Sequence, residues 1–158
     1  MKHLALLLSL LAAPALAQSE RAQMILDEAA ETCESIEAGA LEVRDGAIIS
    51  ADLDGDGMSD DEVVDFEYVS CEWNMAHWHG TGGSPIHFVI DGSWSKSWWG
   101  FKWETVDFAG ERVILLARHG SRCDNFGASP CVQAFVAYDG EFQTVLDPGS
   151  AEEDVSEE

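Results

Sequence analysis

Asp52-Leu53-Asp54-Gly55-Asp56-Gly57-Met58-Ser59-Asp60 places carboxylates at alternating positions and a glycine where the chain must turn. That chemistry suits a hard divalent cation, which takes six to eight oxygens, and it points to Ca²⁺. The flanks decide the structural class. Residues 47–51 form a short apolar run before the loop. Residues 63–69 follow it, with Val64, Phe66 and Tyr68 alternating against Asp65 and Glu67. Period-two alternation predicts strands, so the loop joins two strands. A helix-loop-helix calcium hand needs a bidentate Glu at its twelfth position. Counted from Asp52, that position is Val63, and Glu62 comes one place early.

Outward from the loop, most of the chain also reads as strand. Residues 86–90 run into Asp91-Gly92, and residues 132–138 and 141–146 flank Asp139-Gly140; both dipeptides are hairpin signals. Residues 98–108 predict a long aromatic strand or strand pair, and residues 112–117 an apolar strand. The one helical pattern is residues 20–37, where Met24, Ile25, Ala29, Cys33 and Ile36 fall close to one face and Gly39 marks the stop. Short strands joined by tight turns give antiparallel sheets. The expected class is α+β: an N-terminal helix packed on a mostly antiparallel meander.

The ends bound the domain. Met1-Lys2-His3, an apolar run through Leu11 and the small-x-small site Ala15-Leu16-Ala17 read as a signal peptide over residues 1–17, with Gln18 as the first mature residue. The apolar run is shorter than the roughly 20 residues a membrane span requires. A periplasmic or secreted protein is therefore expected, with one domain over residues 18–147 and a disordered acidic tail over residues 148–158. The whole chain carries 8 basic and 30 acidic residues. Removal of Lys2 leaves 7 against 30, a net charge of −23. This charge argues against nucleic acid and anionic membrane surfaces as partners, and favours cations.

Four cysteines, an even count in an exported chain, predict two disulfides. Cys123 and Cys131 flank a turn-rich loop and are expected to pair, leaving Cys33 with Cys71. No two cysteines have the two-residue spacing usual in zinc sites.

The nine-residue acidic loop between two strands resembles the calcium loops of FG-GAP (VCBS-type) repeats over residues 48–69. That resemblance implies Asp52, Asp54, Asp56 and Asp60 as side-chain ligands and Met58 as a carbonyl ligand for Ca²⁺. Such repeats come in arrays, and this chain has one copy, so no propeller is expected. The layout also resembles a class of small exported bacterial proteins of unknown function. The matching pieces are Cys33, the acidic loop, Cys71, Gly80-Thr81-Gly82-Gly83, and Cys123 with Cys131. This second likeness implies a fold and no activity.

Other constellations carry weaker chemistry. Arg118-His119-Gly120 after an apolar strand is similar to the R-H-G motif of histidine phosphatases, but no histidine follows His119. His77-Trp78-His79 offers two imidazoles and a ring for a ligand, with His87 as a possible third imidazole for Zn²⁺ or Cu²⁺. Gly80-Thr81-Gly82-Gly83 has no following Lys and reads as a turn, not a phosphate cradle. Of the six tryptophans, Trp99 and Trp103 share a phase with Phe101, while Trp94 and Trp98 fall on the other. One set can fill a core, and the other can stack on a sugar or peptide. No catalytic residues are assigned. The expected function is a non-catalytic calcium-binding module for an envelope protein or glycan, with the ion pinning one strand-loop-strand hairpin. The alternative is a metal-dependent or R-H-G-type hydrolase using His119 or His77 and His79.

Overall fold

A computed structural model of the chain describes residues 18–144. The expected signal peptide, the acidic tail and residues 145–147 of the expected domain lie outside them. The architecture is α+β, with one helix and antiparallel sheets. Helix α1 (Glu20–Ser35) precedes β1 (Leu41–Val43), β2 (Ile48–Ala51), β3 (Asp61–Asp65), β4 (Val69–Cys71) and β5 (Ser84–Ile90). After these come β6 (Trp94–Gly100), β7 (Lys102–Phe108), β8 (Glu111–Ala117), β9 (Val132–Tyr138) and β10 (Glu141–Thr144).

The strands form a central sheet of order β2-β3-β5-β6, an outer sheet of order β10-β9-β8-β7, and a small β1-β4 ribbon. Central strand β3 is buried over all five residues, because both of its faces are covered. On one side Val64 and Val89 meet Ala22, Ile25, Leu26 and Ala29 of α1. On the other, Val63, Ile86 and Phe88 meet Ile114, Leu116, Phe135 and Phe142 of the outer sheet. The result is three layers: helix, central sheet, outer sheet.

Helix α1 starts where Ser19 accepts a hydrogen bond from the Ala22 N–H at 3.1 Å, an N-cap of the usual kind. Its buried face is not quite the expected one. Ala22 and Leu26 face inward, whereas Met24 and Ile36 are more than 40 % exposed. The helix ends at Ser35, and Glu37 enters the left-handed region at φ 56°.

The stretch expected as one strand over residues 63–69 is broken. The Asp65 carboxylate accepts from the Glu67 N–H at 2.9 Å and caps a 3-10 turn over Phe66–Tyr68. The chain then leaves the central sheet to pair β4 with β1, a strand the sequence reading did not find. The aromatic stretch is likewise a strand pair. Strands β6 and β7 belong to different sheets, and Phe101 is the corner between them. A Cβ on Gly100 would sit 2.6 Å from Leu116 Cδ1 and 3.0 Å from the Ala117 carbonyl oxygen, so glycine lets the corner pack closely on β8. The corner shifts the alternation by one: Trp103 joins Trp94 and Trp98 against the core, and Trp99 and Phe101 stay outside.

Both disulfides are paired as expected. Cys33–Cys71 ties α1 to β4, and Cys123–Cys131 closes the loop between β8 and β9, with Cα separations of 5.5 and 5.8 Å. No helix among the described residues is long and apolar enough to cross a membrane.

Candidate metal centre

The acidic loop connects β2 to β3, adjacent antiparallel strands that pair Ala51 with Asp61. Three internal hydrogen bonds shape it. Asp52 Oδ1 accepts from Gly55 N at 2.7 Å, Asp54 Oδ1 from Asp56 N at 3.0 Å, and Asp56 Oδ1 from Met58 N at 2.7 Å. Short carboxylate side chains bonding the backbone two or three residues ahead are what such turns need. Gly55 and Gly57 take φ of 84° and 87°, which side chains rarely adopt. Leu53 is fully buried among Val63, Ile90 and the outer-sheet core, so it anchors the loop like a plug.

Asp61, the first residue of β3, is the centre of the arrangement. It is 1 % exposed. Its Oδ2 accepts from Leu53 N at 2.6 Å and Asp54 N at 3.3 Å, and its Oδ1 accepts from Asp91 N at 2.9 Å. One carboxylate therefore clamps the acidic loop to the β5–β6 turn. Asp61 also belongs to two groups of carboxylates that could hold a metal ion: Asp52, Asp54 and Asp61, and Asp60, Asp61 and Asp91. Within each group, ligand oxygens lie within 4.8 Å of one another.

The electrostatics match that convergence. Burial pushes the Asp61 carboxyl above the usual carboxylate range, against the lowering effect of its N–H bonds from Asp91 and Leu53. Asp91 is also raised, by loss of solvent and then by the negative charges of Asp54, Asp60 and Asp56. Asp54 and Asp91 line a cleft of about 180 Å³ together with Trp94, Tyr138 and Asp139. Among the described residues, one basic side chain bonds the loop. Arg112 of β8 bonds the Asp52 carbonyl through Nη1 at 3.1 Å, while its Nη2 lies 3.5 Å from Asp52 Oδ2. Its Nε bonds Asp107 at 2.8 Å, so Arg112 fastens the start of the loop to the outer sheet.

Of the expected ligands, Asp52, Asp54 and Asp60 each join Asp61 in one of the two groups, and Asp56 joins neither. Met58, expected to offer its backbone carbonyl, is 55 % exposed. Sequence reading missed Asp61 and Asp91. Asp61 sits directly after the motif, ahead of the strand expected from residue 63, and the structure makes it the first residue of β3. Asp91 reads as one half of a hairpin dipeptide and reaches the loop only through the sheet pairing.

The other candidate residues lie apart from the two carboxylate groups. His79 directs Nδ1 at the Met75 carbonyl (2.6 Å) and Nε2 at the Phe66 carbonyl (2.9 Å). Trp78 is half-buried edge-on against Phe66 at 5.1 Å, and His77 lies against Trp78 at 4.8 Å. His87 packs on Phe66 at 5.0 Å, and burial, then Arg21, lower its pKa to about 4. No histidine joins a group that could hold a metal ion among the described residues. In the R-H-G stretch, Arg118 donates to the Trp99 carbonyl at 3.1 Å and to Gln133. His119 caps the 3-10 turn Gly120–Cys123 and bonds Ser121 Oγ at 2.8 Å. Arg118 thereby clasps the ends of β6, β8 and β9.

Comparison with known protein families, curated proteins and solved structures finds no match.

Proposed function

We propose that the chain is an exported, non-catalytic calcium-binding module whose ion fastens the acidic loop to the β5–β6 turn. The observation that carries this reading is Asp61: a fully buried carboxylate shared by two carboxylate groups. Two further carboxylates approach it in each group, Asp52 with Asp54 and Asp60 with Asp91, and like charges so placed repel unless a cation offsets them. An all-carboxylate and carbonyl donor set is hard and favours Ca²⁺ over softer transition metals. Asp52, Asp54, Asp60, Asp61 and Asp91 supply the side chains. Two disulfides are compatible with an oxidising compartment outside the cytoplasm. A partner on the cell envelope, protein or glycan, completes the reading.

Terbium luminescence tests the site. Trp94 lines the same cleft as Asp54 and Asp91 and can sensitise a bound lanthanide. Excitation of tryptophan should give Tb³⁺ emission that Ca²⁺ displaces and that Asp54→Asn with Asp91→Asn abolishes. Asn at Asp54 can still accept the Asp56 N–H, so the loop turn is kept. Emission that survives the double substitution places the ion elsewhere and refutes the site.

A further inference from the structure

The outer sheet is apolar on both faces. Its inner face fills the core. Its outer face carries Val106, Phe108, Val113, Leu115, Ala134 and Val136, which line an open groove of about 630 Å³. Strand register makes the patch continuous: Val106 stands opposite Val113, and Leu115 opposite Ala134. Phe108 is 72 % exposed, and no described residue covers the groove. An antiparallel sheet with one solvated face normally turns polar residues outward, and an apolar patch of this kind marks an interaction site.

The charges around the groove select the occupant. Glu104, Glu111 and Glu141 lie on the same outer face by strand alternation, and Lys102 is the one cation among these strands on that face. A second copy would bring the same three glutamates together, in a chain of net charge −22. The segment beyond Thr144 carries six acids and no base, so as an occupant it too would be repelled by these glutamates. An anionic lipid would be repelled in the same way. We propose that this groove binds a cationic amphipathic polypeptide segment, its apolar face on Val106, Phe108 and Val136 and its Lys or Arg residues on Glu104, Glu111 and Glu141. The assignment gives the binding half of the proposed function a surface and a partner chemistry, and it does not depend on the metal.

The test uses the full mature chain and two fluorescent peptides of identical Leu/Lys composition. One is patterned as an amphipathic helix, and the other is shuffled so that no apolar face exists. The patterned peptide should bind at least about tenfold more tightly, and Phe108→Ser should erase that preference. Phe108 is exposed, so the variant keeps its fold. Glu104→Gln with Glu111→Gln and Glu141→Gln should weaken binding and flatten its salt dependence. Equal binding of both peptides, or an indifferent Phe108→Ser, overturns the proposal. So does a dimer that Phe108→Ser dissolves, or peptide binding that emerges only when the chain is cut after Thr144. Intact Tb³⁺ binding alongside failed peptide discrimination sinks this surface alone. Discrimination without Tb³⁺ binding sinks the metal site alone.

Discussion

His87 should make the protein acid-sensitive in a defined window. It lies on β5, between Val64 of β3 and Ser97 of β6, with its ring against Phe66. Burial, then Arg21, hold its pKa at about 4, against 6.5 for a free imidazole. A folded pKa below the unfolded one means stability is present in full above pH 6.5 and is lost as pH falls toward 4. Over the full window this corresponds to about 3 kcal/mol, and by pH 5 the loss is about 2 kcal/mol. Asp61 and Asp65 act in the opposite sense, because burial raises them. Their effect is common to wild type and variant and cancels in the difference. Urea unfolding followed by tryptophan fluorescence at pH 7 and pH 5 measures it. Wild type should lose about 2 kcal/mol more than His87→Leu between those two values. Equal losses in the two proteins would refute the assignment of a buried neutral imidazole.

Three further outcomes follow from the packing and the cross-links. Phe88 is fully buried and meets the rings of Trp98, Trp103 and Phe142, so Phe88→Ala should cost about 3–5 kcal/mol in denaturant unfolding. The Cys33–Cys71 bridge spans 38 residues, and replacing both cysteines with Ser should cost about 4 kcal/mol on the chain-entropy model, read by the same assay. The shorter Cys123–Cys131 bridge, spanning 8, should cost about 2.5 kcal/mol when removed.

The acidic loop shows how far local sequence reaches. Its strand-loop-strand setting, the hairpins at Asp91-Gly92 and Asp139-Gly140, the helix and the Cys123–Cys131 bridge were legible, because each depends on neighbours in sequence, and Cys33–Cys71 followed as the remaining pair. Three features were not. Asp65 ends β3 early by capping a turn, a side-chain-to-backbone bond that the Val64-Phe66-Tyr68 alternation masks. The Gly100-Phe101 corner resets the tryptophan phase, because the need for glycine comes from Leu116, 16 positions on. Asp91 joins the acidic loop only through the pairing of β3 with β5, which places residues 30 apart in contact. The outer apolar face was visible as the run over residues 112–117, but periodicity cannot say whether the second face of such a strand is covered.

The most direct measurement is thermal unfolding of the chain from Gln18 onward in EDTA and in millimolar Ca²⁺. Exported calcium sites with dissociation constants of roughly 10⁻⁴–10⁻³ M give about 0.4–1.4 kcal/mol at that concentration. The melting temperature should rise by roughly 2–6 °C, and Asp54→Asn with Asp91→Asn should abolish the rise. An identical melting temperature with and without Ca²⁺ would contradict the account.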